Sequence, residues 1–126
     1  MKNEWSDLST QIKNTDNEVL TPKLTNIVKK YAKGSRLFDY GCGWGDFADL
    51  IQKEGFSVTA FDEADEMIDQ ARSKFLDPKF LYKHEFDSQR KKLKGQFDIV
   101  VSSLVLCILE GVQQNKLLDD IKFILQ

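Results

Sequence analysis

The chain has a single histidine, two cysteines and no apolar run long enough to cross a bilayer. Each shortage removes a class of function. With His84 alone there is no histidine pair, and a lone histidine on an expected strand reads as structural rather than as a base. Cys42 and Cys107 match neither a metal-type spacing nor a disulfide framework, so no metal is expected and a reducing, cytoplasmic setting is. Repeats and low-complexity linkers are also absent. A net charge of −2 gives no electrostatic case for nucleic acid, and nothing points to a membrane. What remains is 126 residues, 41% hydrophobic and 30% charged, which suits one modest globular domain.

The most informative stretch is Arg36-Leu37-Phe38-Asp39-Tyr40-Gly41-Cys42-Gly43-Trp44-Gly45. It reads as an apolar strand that ends in an acid and runs into a glycine-dense turn. Phe47, Leu50 and Ile51 then recur at helical spacing. In open α/β sheets, nucleotides bind at such a strand-to-helix junction. Glycine there allows positive φ and lets the backbone approach a ligand without a Cβ in the way. A dinucleotide fingerprint, Gly-x-Gly-x-x-Gly, would put its last glycine at position 46. Here that place is Asp46, and the third glycine comes one residue early.

The rest of the chain alternates helix and strand. Residues 1–20 are polar, with Trp5, Leu8 and Ile12 at helical spacing, and form a separate helical or flexible segment. Residues 21–126 form the domain. Thr21-Pro22 opens a helix that Gly34 ends. Strand one is 36–40, and its helix runs to Lys53, with Gly55 as the stop. Strand two is 56–62, followed by a helix over 64–75. Strand three is expected over 79–86, then a basic loop at 90–95, strand four at 97–103 and a last helix at 112–125. The fold class is α/β, a doubly wound, mostly parallel sheet of order 3-2-1-4.

The Asp-x-Gly-x-Gly-x-Gly pattern from Asp39 to Gly45 resembles motif I of the class I S-adenosylmethionine-dependent methyltransferases. The resemblance extends over about residues 20–126. Asp62 closes strand two 19 positions after Gly43, where this fold places its ribose-binding acid. Taken without the family, Asp62 could also be a helix N-cap. Phe97-Asp98-Ile99-Val100-Val101-Ser102-Ser103 is similar to the family's fourth-strand motif, with Asp98 structural.

The resemblance implies S-adenosylmethionine as cofactor, and the residues that would hold it. Gly41, Cys42 and Gly43 would line its methionine part, with Gly45 completing the loop. Asp39 would organise the ammonium and Asp62 the ribose hydroxyls. Glu63 would lie along the adenine face, where the family is commonly apolar. An acid after strand three would read the adenine edge; both Asp87 and Glu85 qualify, and Asp87 fits better. Ser102 would face the sulfonium side, and Trp44 would pack over the loop or shield the cofactor.

Cys107-Ile108 occupies the place where many small-molecule members carry a histidine pair, so no catalytic residue is assigned. The Asn-Pro-Pro-Tyr motif of amino-methylating members is absent, which argues against nucleic-acid and glutamine acceptors. The implied activity is methyl transfer to an unidentified small molecule or protein. The alternative is a non-catalytic cofactor-binding subunit that completes a partner's sheet. A nicotinamide-dependent reductase is disfavoured by the glycine spacing. The family's complete sheet has three further strands, so a C-terminal half or a protein partner is expected to pair with the apolar strand four.

Overall fold

The computed structural model describes residues 21–102 and 111–125. The segment expected at 1–20, and also Ser103 and Cys107, lie outside them. The elements are α1 (Thr21–Tyr31), β1 (Arg36–Tyr40), α2 (Asp46–Lys53), β2 (Ser57–Phe61), α3 (Asp65–Lys74), β3 (Lys79–Leu81), α4 (Lys83–Leu93), β4 (Ile99–Val101) and α5 (Gly111–Leu125). The four strands pair in parallel in the order β3-β2-β1-β4, as the sequence predicts. No described helix is long and apolar enough to cross a membrane.

The layers follow from the two-residue period of the strands. On β1, Leu37 faces a cluster with Val28 of α1, Ile51 of α2 and Ile68 of α3. Phe38 and Tyr40 face the other side, against Phe86 of α4 and Ile124 of α5. Helices therefore cover both faces, and β1 is buried from Leu37 to Tyr40. The second face is aromatic: Phe61 stacks on Phe86 with centroids 4.4 Å apart, and Tyr40 meets Phe61 edge-on at 5.1 Å.

Asp98 has the structural role expected of it. Its carboxylate accepts the Arg36 backbone N–H at 3.0 Å and two Arg36 guanidinium N–H groups at 3.2 and 2.9 Å. Those bonds pull its pKa down to about 2. The knot fixes the amino-terminal rim of the sheet. It also explains Gly34, where a Cβ would stand 2.4 Å from the Asp98 carboxylate.

One expectation is corrected. Strand three does not run to residue 86: it ends at Leu81, and the expected basic loop is the last turn of α4. Local chemistry gives the reason. The Tyr82 N–H donates to the Glu85 carboxylate at 3.1 Å, so an acid in the first turn satisfies an otherwise orphaned donor. Lys83 and Asp87 pair one turn apart at 3.3 Å. Arg90, Lys91 and Lys92 crowd the last turn, where the helix dipole favours cations. Strands two and four are likewise shorter at their ends than expected.

Candidate cofactor site

At Tyr40 the chain leaves the sheet through three left-handed glycines: Gly41 at φ 85°, Gly43 at 56° and Gly45 at 88°. The turn is pinned to its neighbour strand. The N–H groups of Gly41 and Cys42 both donate to the Phe61 carbonyl, at 2.7 and 2.9 Å. Gly45 donates to the Cys42 carbonyl at 3.1 Å, and its own carbonyl accepts the Asp49 N–H as α2 begins. These bonds form an elbow at the carboxyl rim of the two central strands.

Asp62 joins the elbow to the end of β2. One carboxylate oxygen accepts the Gly43 N–H and the other accepts the Ala64 N–H, each at 2.9 Å. Ala64, the residue flanking α3, has no side-chain cap, so Asp62 bridges two loops instead of simply capping a helix. The side chain is only 5% exposed. Burial raises its pKa to about 6, against the opposing pull of the two N–H donors.

The last two glycines of the elbow do different work. A Cβ on Gly43 would meet nothing within 4 Å, so that edge of the elbow faces open space. A Cβ on Gly45 would stand 2.9 Å from the Ala71 methyl and from the Phe80 ring. The glycine at 45 is therefore required by packing as well as by its φ.

Asp39 is buried at the end of β1, paired across the sheet with Ala60 and Val101. The Cys42 thiol has its pKa pushed well up, first by burial and then by the charges of Asp62 and Asp39. Both carboxylates therefore act on the elbow, and the thiol is protonated and unreactive at neutral pH. Glu63 is exposed beside them. The Trp44 ring has the Lys74 ammonium 5.7 Å from its centroid. Ser102 follows β4 at the same rim, its Oγ buried and without a hydrogen bond among the described residues.

Asp39, Gly41, Cys42, Gly43 and Asp62 are thus brought together. Asp87 is not: it lies one turn into α4, exposed and paired with Lys83, not at the end of a strand. Glu85 is occupied by the Tyr82 N–H and by Arg72 at 2.7 Å, which holds its pKa below the usual range. The register Phe61↔Leu81 puts Tyr82 next in line beside Asp62. The Tyr82 ring lies under the Arg72 guanidinium at 4.3 Å and stacks on His84 at 5.5 Å. Spacing could not single out Tyr82, because its place depends on where β3 stops.

Comparison with known proteins bears on the family and the fold. A family model described as a methyltransferase domain matches residues 12–126. Among solved structures, a protein of Pyrococcus horikoshii is 25% identical, with a TM-score of 0.68 over 97% of this chain and 57% of its own. An S-adenosylmethionine-dependent methyltransferase of Archaeoglobus fulgidus is 18% identical, with a TM-score of 0.73 over 98% of this chain and 54% of its own. Magnesium protoporphyrin IX methyltransferase of Synechocystis, solved with bound SAH, is 16% identical, with a TM-score of 0.67 over 96% and 55%. The chain thus spans little more than half the length of these structures. No curated protein matches it in sequence.

Proposed function

The chain belongs to the methyltransferase-domain family, and on that premise we propose that its elbow and Asp62 bind S-adenosylmethionine for methyl transfer. The observation that carries this reading is the Asp62 carboxylate held at 2.9 Å from the Gly43 N–H, beside the open edge of the elbow. Its two inner lone pairs are used by Gly43 and Ala64, and the outer ones remain to accept a pair of ribose hydroxyls. The backbone of Gly41, Cys42 and Gly43 lines the amino-acid part of the cofactor, and buried Asp39 offsets its ammonium. Glu63 flanks the adenine with the stem of its side chain. Asp87 has no part here, and Tyr82-Lys83 stands at the adenine edge in its place. Ser102 offers its hydroxyl from the end of β4.

When bound, the cofactor's sulfonium supplies an electrophilic methyl group, so the protein's contribution is alignment of an acceptor and exclusion of water. The acceptor in this reading is a small molecule or a protein.

The outer flank of β4 belongs to the same reading. A groove of about 290 Å³ runs between α1 and β4, lined by Leu24, Ile27, Tyr31, Ile99 and Val101. Ile27 and Tyr31 are 55% and 65% exposed on its lip. An apolar flank of this kind suits a further strand and its crossover, from a C-terminal half or from a partner. It also favours a second reading, a cofactor-binding subunit that completes a partner's sheet.

Calorimetric titration with S-adenosylmethionine, S-adenosylhomocysteine and NAD tests the proposal. Binding of the first two only, lost in Gly43→Val and Asp62→Ala, is expected. Binding of NAD, or of none of the three, overturns it. Methyl transfer in the presence of a polypeptide that pairs with β4 separates the enzyme from the subunit.

A further inference from the structure

Asp120 is a carboxylate on α5 that is only 2% exposed. A buried charge is tolerated only when it is fully paired. Here the donors come from three elements. The Tyr40 hydroxyl donates at 2.7 Å, the Lys116 ammonium at 2.9 Å, and Arg90 of α4 closes the set with its guanidinium. Arg90 and Lys116 suffice to neutralise the carboxylate, so charge balance does not require Tyr40. The partnership has a reason on the tyrosine's side.

Tyr40 is the last residue before the elbow. On one flank its backbone is registered against Phe61 of β2. On the other flank the described register with β4 stops one residue earlier, at Asp39↔Val101. The next residue is a glycine at φ 85°, so the chain softens where the sheet ceases to hold it on both sides. The bond from the phenol to Asp120 is the restraint that β4 does not provide there. The ring carries it inward, edge-on to Phe61 and Phe86 at 5.1 and 5.7 Å. Phe61 in turn accepts the N–H groups of Gly41 and Cys42 and precedes Asp62.

We propose that Tyr40 and Asp120 are positioning residues for the cofactor loop, with the Tyr40 hydroxyl tied to α5 so that the Gly41–Gly43 backbone meets the cofactor already ordered. This rests on the cofactor reading above. Neither residue touches the cofactor; both act through the elbow. The tether also passes the placement of α5 to the start of the loop.

The test compares S-adenosylhomocysteine affinity and urea stability in the wild type, Tyr40→Phe, Asp120→Ala, the double variant and Leu93→Val. Leu93 is buried in the same cluster as the Tyr40 ring, so Leu93→Val loosens that packing with the hydroxyl bond intact and serves as the control for lost stability. Tyr40→Phe keeps the ring and loses only the hydroxyl. It is expected to weaken binding by about three- to tenfold, the range that one hydrogen bond supports. The double variant is expected to bind no worse than Asp120→Ala, because both changes cut the same tether. Leu93→Val should lose stability with unchanged affinity. Amide NMR signals of Gly41 and Gly43 should shift in Tyr40→Phe before any ligand is added. Unchanged affinity in Tyr40→Phe beside a wild type that binds overturns the inference and leaves the cofactor reading standing. Absence of binding by the wild type overturns both.

Discussion

Asp62 carries two opposite pH dependences. Its folded pKa, raised to about 6, lies above the ordinary aspartate value. Between about pH 4 and 6 the folded state therefore holds a proton that the unfolded chain releases, and stability falls as pH rises through that window. Urea midpoints should show this slope, and Asp62→Asn should flatten it. Binding runs the other way. A protonated carboxyl cannot accept from both ribose hydroxyls, so S-adenosylhomocysteine affinity should fall as pH drops through about 6. Calorimetry at a series of pH values checks this. The glycines separate packing from ligand access in a similar way. Gly45→Ala combines a left-handed φ with contacts at 2.9 Å and should cost about 2–4 kcal/mol in urea denaturation. Gly43→Ala has only the φ of 56° to oppose it and should cost about 1–2 kcal/mol, while blocking the ligand's approach.

At the scale of elements, α4 is the instructive case. Only Phe86 and Leu93 of its residues are buried, seven positions apart, too sparse for an apolar helical period to register. The signal was in the charges: an acid in the first turn, a Lys83–Asp87 pair one turn apart and three cations in the last turn. Glu85→Ala removes the acceptor for the Tyr82 N–H and the partner of Arg72, and should cost about 1 kcal/mol. Asp87→Ala should leave S-adenosylhomocysteine affinity unchanged, since the helix carries that carboxylate away from the strand end. By contrast, β1 and the elbow were legible because local rules decide them: an apolar run, then three glycines that each take positive φ. The nearness of Asp62 to the elbow was legible as well, because a βαβ unit fixes that distance, but its bond to the Gly43 N–H was not. The Tyr40–Asp120 bond was not. It joins residues that only the packing of α5 brings together, and no spacing rule reaches that far.

For the whole molecule, the pairing role proposed for the outer flank of β4 can be tested in solution. The groove beside α1 is apolar and its lip is exposed. By itself the chain should therefore self-associate, as size-exclusion chromatography with light scattering would register. Lysine at both Ile27 and Tyr31 should shift it toward the monomer, and a wild type that is monomeric throughout counts against a pairing role for this flank. All four strands also point the same way, so the chemistry gathers at one rim while the Arg36–Asp98 knot closes the other. Gln96 is exposed beside that closed rim, just ahead of β4. With Cys107 replaced by serine, a cysteine placed there would let the protein be tethered to a sensor chip in a single orientation, with its glycine turn left facing the flowing liquid.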